Sequence, residues 1–193
     1  MSTVQEGVWL SPENEAERFW QEAQEALFKA GESVACLSEA VDLGVRVVDI
    51  LTVRCLEPMR DEFPATIARL LEPLPPAVDP YRDFLHPPKA LQFIDVLDML
   101  SAEDLTCISP HLHHGWEDRE ASCHRSRART RKATGFSVDA QQRDALMLIG
   151  AYQNRIFTLP PPVQVVPEDV LEAYAALVEL VERLFASVRT PVS

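Results

Sequence analysis

Apolar residues recur every three or four positions along the first sixty residues of this chain, and they do so in two separate runs. In the first, Ala16, Phe19, Trp20, Ala23, Leu27 and Ala30 keep helical spacing while Glu15, Glu22 and Glu25 fall opposite them. Ser11-Pro12-Glu13 marks its start: serine caps free N–H groups, proline fits the first helical position, and glutamate complements the helix dipole. Gly31 closes it.

The second run, from Ser33 to about Leu56, is apolar on more than one face through Val34, Leu37, Val41, Val45, Val48 and Leu51, and it stops before Pro58. Its β-branched patch from Val45 to Ile50 would suit a strand, but its length and unbroken 3.6 period predict a helix, the central and most buried one. A shorter helix is expected over 60–71 with a kink at Pro64. Further on, short helices are predicted at 89–100 and 102–108, the second opened by Ser101-Ala102-Glu103-Asp104 as a capping sequence. From Ser137 an apolar period runs to Phe157, Pro160-Pro161-Pro162 breaks it, and Pro167-Glu168-Asp169 starts a final helix.

Between these elements the pattern lapses twice. Six prolines within 72–88 predict a stiff connector. From Pro110 to Gly135 apolar periodicity is gone, and a segment that buries so little apolar surface is expected to stay a flexible loop. The chain is therefore predicted to be an all-α, single-domain bundle of five to seven helices with a long basic loop. Its parts are N-terminal helices at 8–71, the connector at 72–88, short helices at 89–109, a His- and Arg-rich loop at 110–136 and a C-terminal helical hairpin at 137–189.

Charge narrows the partners. The 193 residues are 47% hydrophobic and 25% charged, enough for one sizeable core, and carry a formal net charge of −12. Such a surface repels nucleic acid and anionic membranes except where basic residues cluster. Met1 to Gly7 show neither a basic nor an apolar leader region, and no apolar run approaches the roughly 20 residues of a membrane span. A cytoplasmic protein is expected. Its four cysteines, Cys36, Cys55, Cys107 and Cys123, lack CxxC pairing and read as reduced, packed thiols.

Candidate chemistry gathers in the 110–136 segment. His111, His113, His114 and Cys123 are nitrogen and sulfur donors of the kind zinc or nickel accepts, but their spacing fits no standard finger or zincin, and a solvated His-rich turn is the reading preferred for them. Arg125, Arg127, Arg129 and Arg131, with Lys132, alternate with small residues. In an extended chain they would project to one side and grip phosphates or an acidic partner, or clasp the protein's own acidic surface. With Trp116 the sole nearby aromatic, base stacking has little support. No nucleophile elbow or phosphate-cradling glycine loop is present. Asp95 and Asp98, three apart, can share a cation but read as a wet helix face.

The pattern Leu146, Ile149, Tyr152, Asn154, Ile156 and Phe157, followed by a proline turn and the helix of Val170, Leu171, Tyr174, Leu177, Val178, Val181 and Leu184, resembles the C-terminal part of HEPN domains. These helical bundles are common in prokaryotic toxin–antitoxin and phage-defence systems. The family's ribonucleases use an Arg followed by a polar residue, and a His five positions after the Arg. With Asn154 as the polar residue, Gln153 stands at the Arg position and Thr158 at the His position, so the resemblance implies a site without its phosphate clamp or its titrating group. Read from the residues alone, Gln153, Asn154, Arg155 and Thr158 are a helix end, with Arg155 complementing the dipole. Arg119 and His124 also stand five apart, within the expected loop.

The expected function is a non-enzymatic interaction or regulatory subunit, an accessory or antitoxin-like component of a prokaryotic defence system. It would need no cofactor and would act on a protein partner or a second copy. The alternatives are a HEPN-like ribonuclease or nucleic-acid accessory protein, and a metal-binding protein using the His-rich loop.

Overall fold

The computed structural model describes residues 12–31, 33–62, 93–102, 119–153, 158–159 and 163–189. Among these lie six α-helices: α1 (Pro12–Phe28), α2 (Val34–Leu56), α3 (Phe93–Leu100), α4 (Arg119–Thr134), α5 (Ala140–Gln153) and α6 (Pro167–Arg189). A 3-10 turn, Glu57–Glu62, extends α2. Two short antiparallel strands, β1 (Thr158–Leu159) and β2 (Val163–Gln164), flank the triple proline. The fold is an all-α helical bundle, as the periodicity predicts.

Helix α2 is the axis of the bundle and touches each of the other five helices. Its start follows directly from sequence: the Ser33 side chain accepts a hydrogen bond from the Ala35 N–H at 3.3 Å. Leu37, Val41, Val45, Val48 and Leu51 are all buried, as their spacing requires. Val34 is the exception, standing exposed in the first turn.

The directions of the helices follow from their pairings. Helix α1 runs antiparallel to α2, with Glu13 paired to Arg54 at 2.7 Å and Glu15 to Arg46 at 3.8 Å. Helix α6 runs parallel to α2. Near its start the buried Tyr174 hydroxyl donates to the Ala40 carbonyl at 3.0 Å, and near its end Arg189 reaches Glu17 at 2.8 Å. Burial pushes the Tyr174 phenol above its usual range, so it remains a neutral donor at neutral pH.

The approach of α6 to α2 is set by a glycine. A Cβ on Gly44 would lie 2.8 Å from Leu177 Cδ2 and 3.1 Å from the Tyr174 hydroxyl. Both neighbours are fully enclosed and have little room to yield.

Two boundaries differ from the sequence reading. Ser137 does not open α5; Val138 pairs instead in a parallel bridge with Ser101, its N–H donating to Leu100 O at 2.7 Å. The helix begins after Asp139, whose carboxylate accepts from the Gln142 N–H at 2.8 Å while the Gln142 side chain accepts from the Asp139 N–H at 3.3 Å. This reciprocal cap is worth about 1 kcal/mol and holds the start three residues late.

The second difference is larger. Within the predicted loop over 110–136, Arg119–Thr134 is a helix. Gly135, with φ of +78°, ends it by donating its N–H to Arg131 O at 2.8 Å. The predicted elements at 63–92 and 103–118 lie outside the described residues.

Replacing Gly44 with valine is expected to destabilise the protein by about 2 kcal/mol, because overpacking the α2–α6 contact outweighs any gain in helix propensity. Gly31→Ala, where a Cβ meets nothing within 4 Å, should change stability by less than about 1 kcal/mol. Urea unfolding followed by circular dichroism measures both.

Candidate functional site

A helix separates side chains two positions apart by about 160°, so the alternating arginines of α4 cannot share one side. That corrects the extended-chain expectation for Arg125, Arg127, Arg129 and Arg131. Arg127 turns inward and is only 3% exposed, with Thr130 and Thr134 buried beside it on the same face. Arg129 is half-buried, while Arg131 and Lys132 are exposed. Position 125 lies four residues before 129 and seven before 132 along α4.

The inward arginine meets α3. Its Nε donates to the Asp98 carbonyl at 3.1 Å, one of the carbonyls that the last turn of a helix leaves without an internal partner. The Asp98 carboxylate, fully buried, lies 3.5 Å from Arg143 NH2 of α5. Asp98 is thus no wet helix face: its carbonyl joins α3 to α4 and its carboxylate joins α3 to α5. Ser101 adds a hydroxyl bond to Leu97 O at 2.5 Å. The far end of α4 is fixed as well, since Thr134 Oγ1 donates to Thr130 O at 2.9 Å and the Ser187 hydroxyl of α6 donates to Thr134 O.

Gln153 is half-buried at the end of α5, and the adjacent Tyr152 hydroxyl accepts from Ser38 at 3.3 Å. Asn154 and Arg155 lie outside the described residues. Thr158 pairs with Gln164 in the β-ladder, so it does not belong to the helix end proposed from sequence. His111, His113 and His114 also lie outside. Cys123 and His124 sit on α4, not in a loop. Arg119 and His124 are on the same helix, where residues five apart point about 140° from one another. Among the described residues no group of three or more His, Cys, Asp or Glu is placed to hold a metal. None of the described helices is long and apolar enough to cross a membrane.

One feature escaped the sequence reading. Phe28, Val34 and Leu171 are the large hydrophobics left exposed among the described residues, at 91%, 60% and 42%. Val34 and Leu171 both fit apolar helical spacing, but each lies in or next to the first turn of its helix and stands outside the covered stripe; Val170, beside Leu171, is fully buried.

Comparison with protein-family models, with curated proteins and with solved structures finds no match.

Arg127→Ala is expected to lower stability by about 2 kcal/mol, since it strips a buried carbonyl of its charged donor and removes a packed side-chain stem. Arg129→Ala should remain within about 0.5 kcal/mol of the parent. If chemical denaturation shows equal effects, the inward assignment of Arg127 is wrong. A second check uses Cys55, whose thiol burial pushes up to about 11 from an ordinary 9.0. The unfolded chain loses this proton first, so the thiol's contribution to stability is constant below pH 9 and falls between pH 9 and 11. Cys55→Ala should remove that part of the alkaline loss.

Proposed function

We propose that this chain is a cytoplasmic, non-enzymatic interaction or regulatory subunit whose contact surface is the outer face of α4. The observation that carries this reading is the division of labour on that helix. Arg127 points inward and anchors it, whereas the outer side presents Arg129 and Lys132 on a fixed scaffold. Ordering long basic side chains at an interface is unfavourable, and a helix already held by its neighbours has less freedom left to lose on binding.

The convergent charged groups at Asp98 support contact over turnover, because they are enclosed and hydrogen-bonded within the core. A group that acts as acid or base must reach a substrate proton, directly or through one water. Taken with the HEPN resemblance, whose Arg and His positions hold Gln153 and Thr158, this reading is of an accessory or antitoxin-like component of a prokaryotic defence system.

The basic face also favours a second reading, a nucleic-acid accessory protein that meets phosphates through α4. The two separate by salt. Phosphate contacts release counterions, and affinity for a duplex would fall steeply with ionic strength, with a logarithmic slope of about −0.9 per contact.

Tagged protein expressed in its native host should co-purify with an acidic protein, and Arg129→Glu/Lys132→Glu should lose that partner while keeping the parent's helical signal. Retention of the partner by the double variant would contradict the α4 surface. RNA cleavage by the purified protein that disappears on changing Arg119 or His124 would replace the whole reading with a ribonuclease.

A further inference from the structure

The end of the bundle away from the Glu13–Arg54 pair collects three things. Helix α1 ends there, α2 begins there, and α6 begins there, because α1 is antiparallel and α6 parallel to α2. The same end therefore holds Phe28, the last residue of α1, Val34, the first of α2, and Leu171 in the opening turns of α6. Every exposed large hydrophobic residue of the described chain sits at this pole. Scattered exposed apolar residues are ordinary, but their concentration at one pole marks a surface meant to be covered.

The charge around them identifies the chemistry of the cover. Glu25 and Glu168 are exposed three positions before Phe28 and Leu171 on the same helix faces, and Asp169 and Glu172 are exposed in the same opening turns of α6, against Lys29 as the exposed cation of the α1–α2 turn. An apolar centre within an acidic rim is complementary to a segment with the opposite rim. We infer that this pole docks a basic amphipathic helix of another protein, its apolar side on Phe28, Val34 and Leu171 and its Lys or Arg residues over the surrounding carboxylates. A second copy of this chain would bring two acidic rims together, which opposes self-association through this face. The pole is distinct from the α4 surface and does not rest on that reading; together they would let one bundle bridge a basic and an acidic partner.

The test uses a fluorescein-labelled Leu/Lys amphipathic helical peptide as probe, with anisotropy as readout, and a Leu/Glu peptide of the same length as its counterpart. The wild-type protein should bind the Leu/Lys peptide and not the Leu/Glu peptide. Phe28→Asp and Leu171→Asp should each weaken binding about tenfold. These substitutions add negative charge, so attraction by charge alone would strengthen binding of the cationic probe. Both positions are exposed, and circular dichroism confirms that each variant keeps its fold.

Unchanged or tighter binding by the Asp variants, or no binding by the wild-type protein, would overturn the inference. So would a wild-type dimer, seen by light scattering, that either substitution dissociates, since the occupant would then be a second copy. Arg129→Glu/Lys132→Glu should leave peptide affinity within about threefold, so a failure at the pole is distinguishable from a failure at α4.

Discussion

Arg127 is the constraint on which the interior arrangement of helices α3 to α5 depends. A guanidinium carries five donors and a charge that stays on at any physiological pH, so it enters a core only where carbonyls and carboxylates already wait for it. Here they do: Asp98 offers its backbone oxygen to Arg127 and its side chain to Arg143. Removing Arg143 would take a cation from the buried Asp98 carboxylate, and removing Arg127 would leave a buried carbonyl without its donor, which couples the three helices more specifically than apolar packing, since apolar surfaces accept many registers. The parallel bridge between Ser101 and Val138 adds backbone hydrogen bonds at the same junction.

Around this junction the bundle is organised in the ordinary way, with apolar stripes facing α2. The two halves of the protein solve different problems. The α1–α2–α6 half relies on shape, as at Gly44, where the absence of a Cβ lets Leu177 and Tyr174 close on the helix backbone. The α3–α4–α5 half adds buried polar contacts to its apolar packing. A surface held on such a base is fixed in position, which suits recognition, and the pole and the α4 face give one bundle opposite local charges.

How much of this was legible in the sequence divides along the same line. Helices α1, α2 and α6 declared themselves through apolar period and capping residues, and their predicted starts at Pro12, Ser33 and Pro167 agree with the structure. Helix α4 did not, because its buried face is Arg127, Thr130 and Thr134 and carries no apolar stripe to detect. What signal existed was compositional: Ala, Arg, Lys and Glu are strong helix formers, and 119–134 contains no proline or glycine. Asp98 was equally opaque, since a carboxylate three residues from another looks wet until its arginine partners are known. Val34 and Leu171 fit the apolar pattern yet stand exposed, because periodicity shows that a helix has a buried face but not how wide the covered stripe is.

Amide hydrogen exchange along α4 tests the central claim most directly. If Arg127 and its partners hold this basic segment as a packed helix, the amides of residues 127–134 should exchange far more slowly than those of an unstructured peptide of the same sequence, and in step with those of α3 and α5. Exchange of these amides at the rate of the free peptide, while α2 stays protected, would contradict the account.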